Sequence, residues 1–316
     1  MTTRLGVVMD PIADITPYKD TTLALLLEAM RREYEIIYFE MSDLFVRDGV
    51  GYGTGRRLEV FDDNVDWYRF TGESEILPLA ELDTILMRKD PPFDTEYIYA
   101  TYILELAENE GTLVVNRCDA LRDVNEKMSI NRFAHLTAPT LVARRSADFK
   151  RFIGEHGDAV IKPLDGMGGS RIFRVKTGDD NISVVLEVLT EHGTRYAMAQ
   201  AYLPAIKDGD KRILVVDGKP VDYALARVPA EGELRGNLAA GGRGVGRPLT
   251  DTDRAIAEEI GPYVREKGLL FVGLDVIGDK LTEINVTSPT CVRELDKQFD
   301  INIAALLFDA IERRLA

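Results

Sequence analysis

Cysteine is scarce in this sequence. Cys118 and Cys291 are the only two among 316 residues, and they stand far apart. That spacing excludes a disulfide framework and a cysteine-ligated metal cluster; it predicts two reduced thiols in a cytoplasmic protein. Neither has a histidine beside it to sustain a thiolate nucleophile. Histidine is equally sparse. His135, His156 and His192 fall in helical or helix-end contexts without metal-ligand spacing. Ser288 lies outside any G-x-S-x-G context, which excludes a hydrolase elbow there. Excess positive charge is also missing: 39 basic residues face 53 acidic ones, for a net charge of -14. A nucleic-acid backbone is therefore excluded as the main partner. No apolar run approaches the roughly 18 residues of a membrane span. The opening "MTTRLGVVMD" is too short in its apolar part for a secretory signal and is expected to be a strand. Neither an internal repeat nor a low-complexity tract is evident.

What is present has a clear grammar. "RLGVVMD", "EIIYFEM", "DTILMRK" and "TLVVN" read as strands, alternating with helices at "KDTTLALLLEAMRREY" and "DTEYIYATYILELAENEG". Leu23, Leu26, Leu27 and Met30 share one face of the first helix, and Asp20 is placed to cap it. Such alternation predicts a parallel sheet, with a β-rich insert between the second and third of these strands. Ligands of parallel sheets sit at the carboxyl ends of the strands. Beyond residue 120 the pattern becomes α+β. A helix is expected over 120–136, then a strand at 138–144 and a helix from Ser146 as cap. Two strands, 158–164 and 170–175, are joined by glycines and followed by a helix and the strand 195–203. The remainder predicts a hairpin turning at Asp217-Gly218, a helix capped by Asp251, two strands joined by Gly278-Asp279 and a closing helix over 301–316. The division expected is 1–122, 123–201 and 202–316.

Chemistry concentrates in three places. "IKPLDGMGGSRIFRV" sets Lys162 before Gly166, Gly168 and Gly169. No Gly-Lys-Ser/Thr ends it and no helix follows, so it is neither a P-loop nor a dinucleotide fingerprint. A glycine turn between antiparallel strands can lie over phosphates with its N–H groups; a loose hairpin loop is the competing reading. "LDVIGDKLTEIN" sets Asp275 across a tight turn from Glu283 and Asn285. Two carboxylates and an amide oxygen suit Mg²⁺ held together with substrate phosphates, and a solvated acidic hairpin is the alternative. Arg212, Arg227 and Arg235 lie in or near the preceding hairpin and loop, where cations would meet a transferring phosphoryl group. Residues 229–247 hold six glycines without periodicity, as a lid or an inert loop would.

These segments resemble a known family. Lys127 in "DVNEK", Lys162 in "IKPLDGMGG", "AQAYLP" around Gln200 and "LDVIGDKLTEINVTSP" look like an ATP-grasp ligase. "MRKDPPFD", "KPLDGMGG", "YLPAIKDGDKRILVVDG", "RGNLAAGGRG" and "EINVTSPT" resemble bacterial glutathione synthetase along almost the whole chain. The resemblance implies an ATP-grasp fold: an N-terminal parallel-sheet domain, then two α+β subdomains that sandwich ATP. It implies an ATP-dependent carbon-nitrogen ligase joining γ-glutamylcysteine to glycine through an acyl phosphate, with no covalent protein nucleophile. Lys127, Lys162, Gly166, Gly168 and Gly169 would hold the phosphates. Gln200, Tyr202 and Leu203 would meet the adenine. Asp275, Glu283 and Asn285 would hold Mg²⁺, for which Mn²⁺ would substitute. Arg212 and Arg227 would stabilise the reacting centre, and Arg235 would come with the lid. Arg88, Lys89, Asp90, Asn237, Thr287 and Ser288 would contact the dipeptide or glycine. The partners implied are small molecules, with no nucleic acid and no membrane, and the resemblance suggests a homotetramer. Two other readings compete: an ATP-grasp ligase for another carboxylate and amine, and a nucleotide-binding regulatory module.

Overall fold

A computed structural model describes residues 2–89, 92–166, 169–230, 236 and 241–316. Asp90, Gly168, Arg235 and Asn237 lie outside the described residues. The first sheet is built from β1 (Arg4–Val8), β2 (Glu35–Phe39), β3 (Leu44–Arg47), β4 (Val50–Val60), β5 (Tyr68–Pro78), β6 (Thr84–Met87) and β7 (Leu113–Val115). β2, β1, β6 and β7 run parallel in that spatial order, and β4 joins β2 antiparallel with β3 and β5 beside it. All four residues of β6 are buried, as expected where both faces of a parallel sheet are covered. Helix α1 (Thr21–Arg31) follows β1 and α2 (Thr95–Asn109) follows β6. Asp20 caps α1 by accepting from the Leu23 N–H at 2.7 Å.

The continuous helix expected over 120–136 does not form. Helix α3 (Cys118–Asp123) stops, and a 3-10 segment begins only at Ser129. The cause is Asn125, whose side-chain oxygen accepts from the Lys127 and Met128 N–H groups at 3.0 and 2.9 Å. Such a turn competes with helical bonding, and it directs Lys127 toward the middle unit. That unit comprises β8 (Thr140–Ala143), α4 (Ser146–His156), β9 (Asp158–Pro163), β10 (Phe173–Lys176), α5 (Ile182–Thr190) and β11 (Ala197–Ala201). Its sheet order is β10-β9-β11-β8, antiparallel throughout. Ser146 is not the cap of α4. Arg145 holds that position without a side-chain bond to the helix, and its guanidinium takes Asp148 of the first turn.

The third sheet, ordered β14-β13-β12-β15-β16, contains β12 (Asp210–Val216), β13 (Lys219–Val228), β14 (Arg243–Pro248), β15 (Phe271–Ile277) and β16 (Lys280–Asn285). Asp217 and Gly218 turn the β12–β13 hairpin with φ of 50° and 73°, the two positive values that a type I′ turn requires. Residues 243–247, expected within the flexible segment, instead form strand on β13, with Gly244 opposite Arg227. Helix α6 (Asp251–Glu266) is capped by Thr250 rather than Asp251. Its hydroxyl accepts from the Asp253 N–H, and the Asp253 carboxylate returns to the Thr250 N–H, both at 3.1 Å. Helix α7 (Val292–Phe299) precedes the expected closing helix, α8 (Ile303–Leu315). The first and third sheets share core residues: Leu5, Leu86, Leu214, Phe271 and Phe308 belong to one apolar cluster. The middle unit has a separate core around Phe149, Ile161, Leu186 and Ala199.

Candidate active site

Strand alternation writes a charged row across one face of the third sheet. Arg227 on β13 lies opposite Asp210 on β12. Two residues on, Arg212 lies opposite Asp275 on β15, and Asp275 lies opposite Glu283 on β16. Residues two apart on a strand share a face, as do residues directly opposite. The row is therefore a consequence of register. Gly273, opposite Asn285, keeps it assembled, because a Cβ there would stand 2.8 Å from Arg212 Cδ.

Arg212, Arg227 and Asp275 are buried, Asp210 and Glu283 are half-buried, and the row is internally paired. Arg212 Nε and Nη2 donate to the two oxygens of Asp275 at 2.5 and 3.1 Å. Arg227 Nη2 adds a contact to Asp275 Oδ2 at 2.9 Å and also donates to Asp210 Oδ2. Lys162 donates to Glu283 Oε1 at 3.1 Å, and Lys127 Nζ stands 3.8 Å from the same oxygen. Lys127 also donates to the Gly166 carbonyl at 2.6 Å and pairs with Glu126. Burial opposes charge on Asp275, but Arg212 and Arg227 outweigh it and hold the carboxyl well below the usual range. Burial opposes charge on Glu283 too, and there Lys162 and Lys127 prevail. Asp210 goes the other way: burial pushes its carboxyl up to about 6 against the pull of Arg227. Its Oδ1 has no hydrogen-bond partner among the described residues.

Two cavities meet at this row. One, of about 130 Å³, lies between the middle unit and the third sheet, and Lys127, Lys162, Gly166, Gly169, Gln200, Tyr202 and Leu203 line it. Its apolar walls are Val160 and Ile172 from one side and Leu203, Ile206 and Ile277 from the other. At its edge the Arg174 guanidinium lies 3.5 Å from the centre of the Tyr202 ring. The second, of about 380 Å³, lies between the third sheet and the carboxyl ends of the first, lined by Arg88, Arg212, Arg227, Asn285, Thr287 and Ser288. Asp275 and Glu283 line both.

The chain was compared with known proteins. The family model "Prokaryotic glutathione synthetase, N-terminal domain" matches residues 3–122, and "Prokaryotic glutathione synthetase, ATP-grasp domain" matches residues 126–300. The chain belongs to the prokaryotic glutathione synthetase family. The glutathione synthetase of Escherichia coli (strain K12) is 62% identical over 99% of this chain and 98% of its own length. That of Salmonella typhimurium is 62% identical over 99% of each. Among solved structures, D-cycloserine synthetase DcsG aligns with a TM-score of 0.69 at 16% identity, over 99% of this chain and 100% of its own. D-alanyl-alanine synthetase A from Vibrio cholerae gives 0.61 at 14%, over 99% and 98%. At those identities the structures speak for the ATP-grasp fold alone. Family membership makes this chain an ATP-dependent ligase of glutathione synthesis.

Within this glutathione synthetase framework, most residues singled out from sequence gather at the two cavities. Lys89 stands apart, bound to Asp10 at 2.7 Å. Arg88, at the end of β6, donates to Thr22 Oγ1 and to the Pro289 carbonyl at 3.2 and 3.0 Å, while Ser288 Oγ donates to the Arg88 carbonyl. Sequence reasoning missed Asp210, Lys19, Asp20, Cys291 and Glu294, which also line the cavities. For Asp210 a signal existed: it precedes Arg212 by two and so shares its face. Glu294 had none, because it reaches the cavity on α7, a helix the sequence reading did not anticipate. No group of three or more His, Cys, Asp or Glu able to hold a metal ion occurs among the described residues, and no helix among them is long and apolar enough to cross a membrane.

Proposed function

We propose that the smaller cavity takes ATP and the larger takes γ-glutamylcysteine, with glycine arriving beside the dipeptide carboxylate. The observation that carries this reading is the common wall: Asp275 and Glu283 face both cavities. A phosphoryl group can pass from one to the other only across such a wall. The apolar slot suits the adenine, with Gln200, Tyr202 and Leu203 at its rim. Lys127 and Lys162, with the backbone at Gly166 and Gly169, bind phosphate oxygens as Glu283 releases the lysines. Arg212 and Arg227 orient the cysteinyl carboxylate. One carboxylate oxygen attacks the γ-phosphorus and the bond to ADP breaks. The glycine nitrogen then attacks the acyl carbon, and phosphate leaves from the tetrahedral intermediate. The arginines meet the charge that grows on the acyl oxygen, where preorganised donors have the greatest effect.

Asp275, Glu283 and Asn285 fit Mg²⁺ in kind, being two carboxylates and an amide. The Asn285 nitrogen donates to the Gly273 carbonyl at 3.3 Å, which leaves its oxygen for a cation. Two acidic ligands fall short of an all-protein cage, and substrate phosphates would complete the set. A bound Mg²⁺, or Mn²⁺ in its place, supplies charge neutralisation between phosphates. Units 1–122, 123–201 and 202–316, a cytoplasmic location and a homotetramer complete the reading.

The test is phosphate release with ATP, Mg²⁺, γ-glutamylcysteine and glycine, omitting one component at a time. Release only with all four, with glutathione detected by mass spectrometry, is expected. Release that needs neither dipeptide nor glycine would defeat the substrate assignment.

A further inference from the structure

The dipeptide cavity has a second group of charges that the reaction itself does not use. Lys19, Asp20 and Glu294 line it along with Arg88, Arg212 and Arg227. The two groups adjoin at Asp20, which stands in the field of Arg88. The charged neighbours of Glu294 are Lys19, Arg293 and Asp20, whereas those of Arg212 are Asp275 and Arg227. Asp20 is committed to the Leu23 N–H as the cap of α1. Glu294 is committed only in part: its carboxyl takes its own backbone N–H, while its buried Oε2 has no hydrogen-bond partner among the described residues. An unsatisfied buried carboxylate oxygen is costly unless a ligand answers it. Burial accordingly pushes the Glu294 carboxyl up.

This end of the cavity thus offers a carboxylate with spare capacity beside an ammonium. That pair is complementary to an amino-acid headgroup, which carries an ammonium and a carboxylate on one carbon. A γ-linked glutamyl residue keeps such a headgroup free, because its peptide bond uses the side-chain carboxyl. An α-linked glutamyl residue does not. We propose that Glu294 and Lys19 read the α-ammonium and α-carboxylate of the γ-glutamyl residue, and so select the γ-linkage. The inference rests on the larger cavity being the dipeptide site.

The test uses the full-length enzyme and three acceptors: γ-glutamylcysteine, glutarylcysteine (no α-ammonium) and 4-aminobutanoylcysteine (no α-carboxylate). Glu294→Gln is expected to lower kcat/KM for γ-glutamylcysteine by about 10- to 100-fold, the scale of a charged hydrogen bond. With glutarylcysteine its loss should stay under about 3-fold, since the partner is already absent. Lys19→Met should mirror this, losing on γ-glutamylcysteine but not on 4-aminobutanoylcysteine. KM for ATP should not move in either variant. Equal losses on the dipeptide and its matched analogue, or no loss at all, would overturn the assignment by reducing these residues to structural roles. Should Glu294→Gln not fold, the Lys19→Met arm decides alone. A wild-type enzyme that fails to turn over γ-glutamylcysteine would instead bring down the reading of the cavity itself.

Discussion

Asp275 is held by two guanidinium groups and faces one carboxylate, and its environment shows how buried charge becomes usable. Isolated, any member of the row would be expensive to bury. Paired, Asp275 and Glu283 stay ionised without a ligand because arginines and lysines supply the opposing charge. Incoming phosphates and cations need only exchange partners with groups already in place. Glu283→Gln should therefore keep the fold and lose at least about 1,000-fold in turnover, since both lysines lose their anchor and a hard ligand is gone. Circular dichroism and the phosphate-release assay check the two halves, and activity within 10-fold of wild type would end the assigned role. Arg212, Asp275, Glu283 and Asn285 were legible in the sequence because strand alternation is a short-range pattern. Asp210 obeyed the same alternation, but its importance comes from Arg227 across the hairpin, a partner 17 positions away.

At the scale of elements, α1 and α8 are fastened by one acid. Glu28 is almost fully buried and accepts from Arg31 Nε and Nη2 at 2.7 and 2.6 Å and from Arg32 Nε at 2.7 Å. It also accepts from Asn302 Nδ2 at 3.1 Å, the residue whose oxygen caps α8. Burial opposes the charge, but the bonds from Arg31 and Arg32 hold the carboxyl at about 2 against an ordinary 4.5. A depressed folded value means stability that is present above the ordinary pKa and lost as pH falls toward the folded one. Glu28→Gln should lower stability by about 1–3 kcal/mol at neutral pH and flatten the decline of Tm between pH 4.5 and 2. Thermal melts across that range read both effects, and an unchanged acid limb would refute the linkage. The strands and the Asp217-Gly218 turn were readable because period-two patterning and turn chemistry are local. The break between α3 and the following 3-10 segment was not. Asn125 capturing two amides is one side chain overruling a helical pattern on either side of it.

Over the whole molecule, the separate cores divide the chain by mechanics. The first and third sheets share an apolar cluster, while the middle unit has a core of its own and adds Met198 of β11 to the cluster of the other two. Across the cleft Lys162 also meets Glu283. The nucleotide-side cavity, about 130 Å³, is smaller than the roughly 300–1,000 Å³ of ordinary ligand pockets. On the proposed reading, ATP bound in this cleft would draw the middle unit onto the third sheet. Amide exchange in β9 and β11 should slow more than about 10-fold on adding ATP and Mg²⁺, while β15 changes little. Protection of equal size in all three strands would argue for a rigid cleft.

The wall common to the two cavities governs the fate of what is made there. On the proposed reading, an activated carboxylate formed against Asp275 and Glu283 would be born and consumed in one place. Fidelity would then depend on how long that place stays shut, not on how quickly a reactive species is handed from one place to the next.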